Sequence, residues 1–191
     1  NGLDTPGHED FSEDTTRTRT AVACAVVVID AARGMEDLTR TLFESCRLRD
    51  IPIVTFINKM DRAAQDGFAL LEEISNSLAL DVSPATWPIG RAATFIGTFD
   101  IRTREVHTKD PVDEADPRMV QLREDLELVE AALPEFDRES FDAGHLSPVF
   151  FGSAMKEIGV TDLLDALVAY GPAPRAQPTE NRDVRADEEQ V

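Results

Sequence analysis

The sequence is poor in cysteine, in tryptophan and in positive charge. Its two cysteines, Cys24 and Cys46, fall in a predicted strand and a predicted helix, which favours buried reduced thiols over a disulfide or a metal site. The 19 basic residues are outnumbered by 37 acidic ones, which gives a formal net charge of −18. A broad nucleic-acid-binding face needs clustered lysine and arginine, so this composition argues against DNA binding and restricts any contact with RNA to a small patch.

Long apolar runs are also absent. The longest one, residues 21–29, is far too short to cross a bilayer, and no signal peptide is recognisable at the start of the chain. We therefore expect a cytoplasmic protein with no membrane partner. A third absence is the Gly-x-x-x-x-Gly-Lys-Ser/Thr motif, so the chain has no glycine-rich loop of the type that cradles nucleotide phosphates.

Apolar runs of strand length alternate with segments of helical periodicity. Residues 21–30 are apolar up to the final Asp30, and 51–57 are apolar except for Thr55, as expected of strands that are buried on both faces of a parallel sheet. Helices are predicted at 11–20, 35–49, 68–80, 117–133 and 161–170, and a further strand at 149–151. This alternation predicts an α/β fold with an open parallel sheet flanked by helices.

The alternating pattern is interrupted between residues 83 and 147, which we interpret as an α+β insertion. Residues 85–90 are predicted to be extended, 94–108 to form a short hairpin, and 135–146 to be irregular. The core resumes with the strand at 149–151. Residues 1–174 are therefore expected to form one domain with the insertion at about 83–147, and the polar segment 175–191 is expected to be a linker toward a second domain.

Five residues near the start of the chain suit the phosphate end of a nucleotide. They are Asp4, Thr5, Pro6, Gly7 and His8, and they follow what resembles the end of a strand. Asp4 is placed to hold Mg²⁺, through a water, and Gly7 lacks a Cβ, so its N–H can approach a γ-phosphate. His8 is placed to orient a hydrolytic water. Taken alone, the segment also fits an ordinary turn between a strand and a helix, with Asp4 as a cap.

A second polar motif, Asn58-Lys59-Met60-Asp61, follows the apolar strand 51–57. The Asp61 carboxylate can accept from both the N1–H and the 2-amino group of guanine, whereas adenine offers neither donor in that arrangement. The Lys59 stem can lie along the base, and Asn58 can tie neighbouring loops together. The alternative is a polar turn that closes a strand.

A third motif, Ser153-Ala154, follows the predicted strand 149–151. A backbone N–H here can donate to guanine O6, although such a segment taken alone is usually only a loop. The order of the three motifs, each after a predicted strand, indicates a site for GTP or GDP with Mg²⁺.

These motifs resemble those of the translational GTPases. Residues 4–11 match the family's third nucleotide motif, 58–61 the fourth and 152–154 the fifth. Within that family the chain looks most like the class-II bacterial peptide-chain release factors. The segments that carry this closer resemblance are Phe11-Ser12-Glu13-Asp14-Thr15, Cys46-Arg47-Leu48-Arg49-Asp50, Thr86-Trp87-Pro88-Ile89-Gly90 and Ser147-Pro148-Val149-Phe150-Phe151-Gly152.

The resemblance implies a P-loop-type G domain that lacks its first strand and phosphate-binding loop. It places the missing strand beside residues 21–30, which predicts an exposed apolar strand edge. It also implies a GTP hydrolase that acts on the ribosome, in contact with large-subunit RNA and proteins. His8 would be the catalytic residue, and GTP hydrolysis would accompany the departure of codon-reading release factors. The present chain alone is expected to be inactive.

Two other readings stay open from the sequence. One is a different ribosome-dependent GTPase, such as an elongation factor G-like protein, which shares the nucleotide motifs. The other is a non-catalytic module that senses a nucleotide or binds a partner. The absence of the glycine-rich phosphate-binding motif suggests this alternative.

Overall fold

The computed structural model describes residues 24–170 and the backbone of two short paired strands further along the chain. The strands are β1 (Ala25–Asp30), β2 (Ile53–Asn58), β3 (Asp81–Pro84), β4 (Thr86–Ile89), β5 (Gly97–Asp100), β6 (Glu105–Thr108), β7 (Leu146–Phe151), β8 (Gln177–Pro178) and β9 (Asp183–Val184). The helices are α1 (Asp37–Arg47), α2 (Gly67–Leu78), α3 (Pro117–Ala132), α4 (Arg138–Asp142) and α5 (Val160–Tyr170).

The main sheet has four parallel strands in the order β1-β2-β7-β3. Alternate side chains of β2 enter two separate cores. Ile53 and Ile57 pack with α1 and α2, whereas Val54 and Phe56 pack with α4 and α5. This alternation follows from the two-residue period of a strand, and it buries the sheet on both faces. The predicted α/β fold with a parallel sheet flanked by helices is confirmed.

Strand β1 lies at the edge of this sheet among the residues that the structure describes. It pairs with β2 on one side, in register from Ala25 with Ile53 to Asp30 with Asn58. Val27 and Ile29 are buried, but Val26 is 39% and Val28 55% exposed. Among the described residues β1 is therefore an edge strand with one exposed apolar face, and whether its other edge is unpaired stays a prediction.

A second, antiparallel sheet consists of β4, β5 and β6, which lie between β3 and β7 in the sequence. This sheet packs with α3. Its anchor is Trp87, which is 1% exposed and whose ring lies 4.7 Å from Phe68 and 5.4 Å from Phe151, centroid to centroid. The indole N–H donates to Asp125 Oδ2 at 3.0 Å, and the Thr86 hydroxyl accepts from the Phe151 N–H at 2.9 Å. These contacts join the second sheet to the strand that leads into the third motif.

Three local predictions differ from the structure. Strand β3 at Asp81–Pro84 extends the main sheet beyond β7, although no strand was predicted for these residues. The segment predicted to be irregular contains α4, because Asp137 caps it by accepting from the Ser140 N–H. Helix α5 begins at Val160, one residue before the predicted start at 161. None of the helices in the described part of the chain is long and apolar enough to span a membrane.

Candidate functional site

The carboxyl ends of three parallel strands converge at one edge of the main sheet. Asp30 is the last residue of β1, Asn58 is the last residue of β2, and Ser153 follows β7 by two residues. Asp30 and Asn58 are register partners, and Ile57 is the register partner of Phe151. In open α/β sheets the crevice outside the carboxyl ends of the strands is the usual ligand site. The fold therefore brings the second and third motifs together.

The Asn58 side chain joins these two motifs. Its Oδ1 atom accepts from the Lys59 N–H at 2.8 Å and from the Ala154 N–H at 2.9 Å. Because both partners are donors, this position must be the amide oxygen, which assigns the other position to the Nδ2 donor. Nδ2 makes no hydrogen bond to the residues that the structure describes.

Lys59 is held in an unusual conformation directly after the strand. Its φ is +68°, in the left-handed region that costs a non-glycine residue about 1–3 kcal/mol. Its ammonium Nζ lies 2.6 Å from Asp30 Oδ2. Burial alone would raise the pKa of Asp30, but hydrogen bonds from Lys59 and from the Ala32 N–H, with the nearby positive charge, hold that pKa below its ordinary value. Asp30 is therefore a charged brace that fixes the end of the Lys59 side chain.

Met60 anchors the loop so that Asp61 is presented at the surface of the site. Met60 is 1% exposed, and its N–H donates to the Gly152 carbonyl at 3.1 Å. Asp61 is half-buried, and its carboxylate has no hydrogen-bond partner among the described residues. The loop thus offers a carboxylate with free acceptor capacity a few residues from the Asn58 amide donor.

The backbone at Ser153 and Ala154 is already engaged within the chain. Ser153 is 1% exposed, its N–H donates to the Ile158 carbonyl at 3.0 Å, and its hydroxyl accepts from the Lys156 N–H at 3.3 Å. The Ala154 N–H is the one that reaches Asn58 Oδ1. A ligand oxygen such as guanine O6 would have to share the Ala154 N–H with that Oδ1 atom, a condition that the sequence did not reveal.

The first motif lies outside the described residues. Its residues, 4–8, precede residue 24. The structure therefore does not place the predicted phosphate and Mg²⁺ contacts relative to the loop at residues 58–61, which we name the base loop.

Asp30 is a site residue that the sequence analysis missed. The available signal was its position, because Asp30 directly follows an apolar run, as Asn58 does. Since the carboxyl ends of parallel strands meet at one edge, a carboxylate at the end of one strand and a lysine after the next are expected to be close.

Comparison with known proteins agrees with this geometry. Residues 1–173 match the family described as the elongation factor Tu GTP binding domain. A crystal structure of a protein from Thermus thermophilus superimposes with a TM-score of 0.67 over 89% of this chain, at 23% sequence identity. The aligned region is 30% of that protein's chain, so this chain spans under a third of the relative's length. At this identity the likeness shows a shared fold. The family match covers most of the chain, which therefore belongs to the translational GTPase family of elongation factor Tu-type GTP binding domains.

Proposed function

We propose that the edge formed by Asp30, Asn58 to Asp61 and Ala154 binds the base of a guanine nucleotide. The observation that carries this proposal is the Asn58 junction, in which one amide oxygen ties two loops together while Nδ2 and the Asp61 carboxylate make no hydrogen bond to the described residues. Nδ2 supplies a donor for N7, which every purine has as an acceptor. Asp61 supplies the acceptor for N1–H and the 2-amino group, which only guanine combines.

Selection of guanine over adenine rests on Asp61. A half-buried carboxylate that loses water on ligand binding must be paired, and adenine would leave it unpaired. The Lys59 stem packs along the base plane in this proposal, because its ammonium is tied to Asp30 at one end and its backbone N–H to Asn58 at the other. Ala154 contributes its N–H to O6 by sharing it with Asn58.

The phosphate end is assigned from the sequence. In the proposed site Asp4 holds Mg²⁺ through a water, Gly7 offers its N–H to the γ-phosphate, and His8 orients the hydrolytic water as the catalytic residue. Thr5 and Pro6 shape the turn between them. When bound, Mg²⁺ neutralises phosphate charge. The proposed G domain extends over residues 1–174 with its insertion at about 83–147, and 175–191 form a linker.

The finer proposal is a ribosome-dependent GTPase of the class-II release factor type, working in the cytoplasm. It is supported by the Thr86–Gly90 and Ser147–Gly152 segments, which carry the closer resemblance and which the Thr86–Phe151 hydrogen bond joins. In this role the protein contacts large-subunit RNA and proteins. It promotes the departure of codon-reading release factors with GTP hydrolysis. An elongation factor G-like protein is the alternative that shares the same nucleotide motifs.

The test uses the complete product of the reading frame that encodes this chain. It is titrated with a fluorescent GDP analogue and Mg²⁺, with the matching adenine analogue as control, and GTP turnover is then measured with and without ribosomes. Guanine-selective binding and ribosome-stimulated turnover are expected. Equal binding of both bases would refute the base assignment, and turnover that ribosomes do not change would refute the ribosomal role.

A second assay separates the two ribosomal roles. Ribosomes stopped at a stop codon with a bound codon-reading factor should lose that factor when the protein and GTP are added. Stimulation of translocation without loss of the release factor would instead favour the elongation factor G-like alternative.

A further inference from the structure

A tight turn of the insertion reaches the base loop directly. The Ala92 N–H donates to the Met60 carbonyl at 2.8 Å, and the Met60 N–H donates to the Gly152 carbonyl at 3.1 Å. The residue immediately before Asp61 is therefore held from both sides, by the end of β7 and by the turn at residues 90–94, which we name the insertion turn. Without the Ala92 bond, only one of these two tethers would fix the backbone that presents the Asp61 carboxylate.

The insertion turn has a specific conformation that its own residues maintain. Ala92 has φ +50° and Gly90 has φ +73°, and a Cβ on Gly90 would collide with the Thr94 carbonyl. The Thr94 hydroxyl donates to the Arg91 carbonyl at 2.7 Å and accepts from the Arg91 N–H at 3.2 Å. Together with the backbone bonds from the Thr94 N–H to the Arg91 carbonyl at 3.0 Å and from the Phe95 N–H to the Ala92 carbonyl at 3.1 Å, they close the turn around the left-handed Ala92 and help to orient its N–H.

The insertion turn is also fastened to the body of the domain. Arg91 lies 3.6 Å from Asp66, the residue that caps α2, and the Phe95 side chain after the turn is buried. A cavity of about 450 Å³ lies beside Met60 and is lined by Trp87, Arg91 and Gln121 among others. The Ala92 hydrogen bond therefore holds the loop at residues 58–61 to the insertion turn at the edge of this cavity.

We propose that the insertion turn is a positioning element for base recognition, with Thr94 as the residue that holds it in shape. The inference rests on the proposed guanine site and adds a determinant that lies outside the three nucleotide motifs. Its effect is expected on the contact that Asp61 makes with the 2-amino group of guanine. Inosine lacks that group, so loosening the turn should weaken GDP binding more than IDP binding.

The test compares Thr94→Val with Thr94→Ser in the complete protein. Valine preserves the branched shape and removes both hydroxyl hydrogen bonds, whereas serine keeps them. Because Thr94 is exposed, neither change should lower the melting temperature appreciably. Thr94→Val is expected to weaken the hydrogen bond from the Ala92 N–H to the Met60 carbonyl. The loss of that one bond should speed GDP dissociation about fivefold and lower the preference for GDP over IDP. Thr94→Ser should stay within about twofold of the wild type.

Several results would overturn the proposal. An unchanged GDP dissociation rate in Thr94→Val would show that the turn does not position the loop. Equal weakening of GDP and IDP together with a lower melting temperature would show a purely structural role. If Thr94→Val does not fold, Thr94→Ala removes the same hydroxyl with less side chain, and an unaltered base preference in it would count against the proposal. If the wild type itself does not prefer guanine to adenine, the proposed function fails, and the inference with it.

Discussion

The Asn58 side chain gives the sharpest test of how the two motifs are joined. Asn58→Ala removes the acceptor of two backbone donors, Lys59 N–H at 2.8 Å and Ala154 N–H at 2.9 Å. Both donors lie on partly or fully exposed residues, so water replaces the lost oxygen and the net cost is about 1 kcal/mol for each bond. Amide hydrogen exchange at both positions should therefore become about fivefold faster.

Asn58→Asp is the matched control, because it keeps an accepting oxygen and replaces the Nδ2 donor with a second, negatively charged acceptor. Exchange at the Lys59 and Ala154 amides should stay within about twofold of the wild type. GDP affinity should nevertheless fall in both variants, since Nδ2 is the proposed donor to the base and an aspartate oxygen would face another acceptor. Fast exchange in Asn58→Asp would contradict the bridging role of Oδ1. Full GDP affinity in the same variant would contradict the ligand-facing role of Nδ2.

Two further predictions concern charged pairs. Asp30→Asn keeps an oxygen for the Ala32 N–H but removes the negative charge that holds the Lys59 ammonium. GDP affinity, measured by isothermal titration calorimetry, should fall about two- to fivefold. An unchanged affinity would show that Lys59 does not need this ion pair to bind the base. Burial alone would lower the pKa of His107, but its hydrogen bond to Asp162 at 2.8 Å and nearby carboxylates raise it above the ordinary value. This pair should stabilise the protein fully below about pH 6.5 and lose its contribution as the pH rises through the folded-state pKa, a dependence that His107→Gln should abolish in melting curves.

The elements that depend on side-chain periodicity were predictable from the sequence. Residues 51–57 are apolar except for Thr55 because β2 is buried on both faces, and α2 has the apolar spacing of a helix that covers a sheet. The approach of the second and third motifs to each other was also expected, since each lies at the carboxyl end of a parallel strand. Residue type and spacing were sufficient in these cases.

The features that escaped prediction depend on backbone hydrogen bonds between distant segments. The backbone hydrogen bond from Ala92 to Met60 joins two residues without polar side chains, so the sequence pattern does not predict it. Strand β3 is only four residues long and gains its place from pairing with β7. The engagement of the Ala154 N–H by Asn58 likewise depends on how closely two loops approach, which spacing in the sequence does not specify.

In the proposed site, the Asp61 carboxylate selects guanine over other bases. In the complete protein, Asp61→Asn exchanges one acceptor oxygen for a donor amide, so the variant should lose affinity for GDP and gain affinity for XDP, whose 2-oxo group matches the new donor. The measurement is a parallel titration of wild type and variant with GDP, XDP and ADP. The variant should bind XDP more tightly than GDP, the reverse of the wild type, and the wild type should bind ADP most weakly. An unchanged preference for GDP in the variant would contradict it.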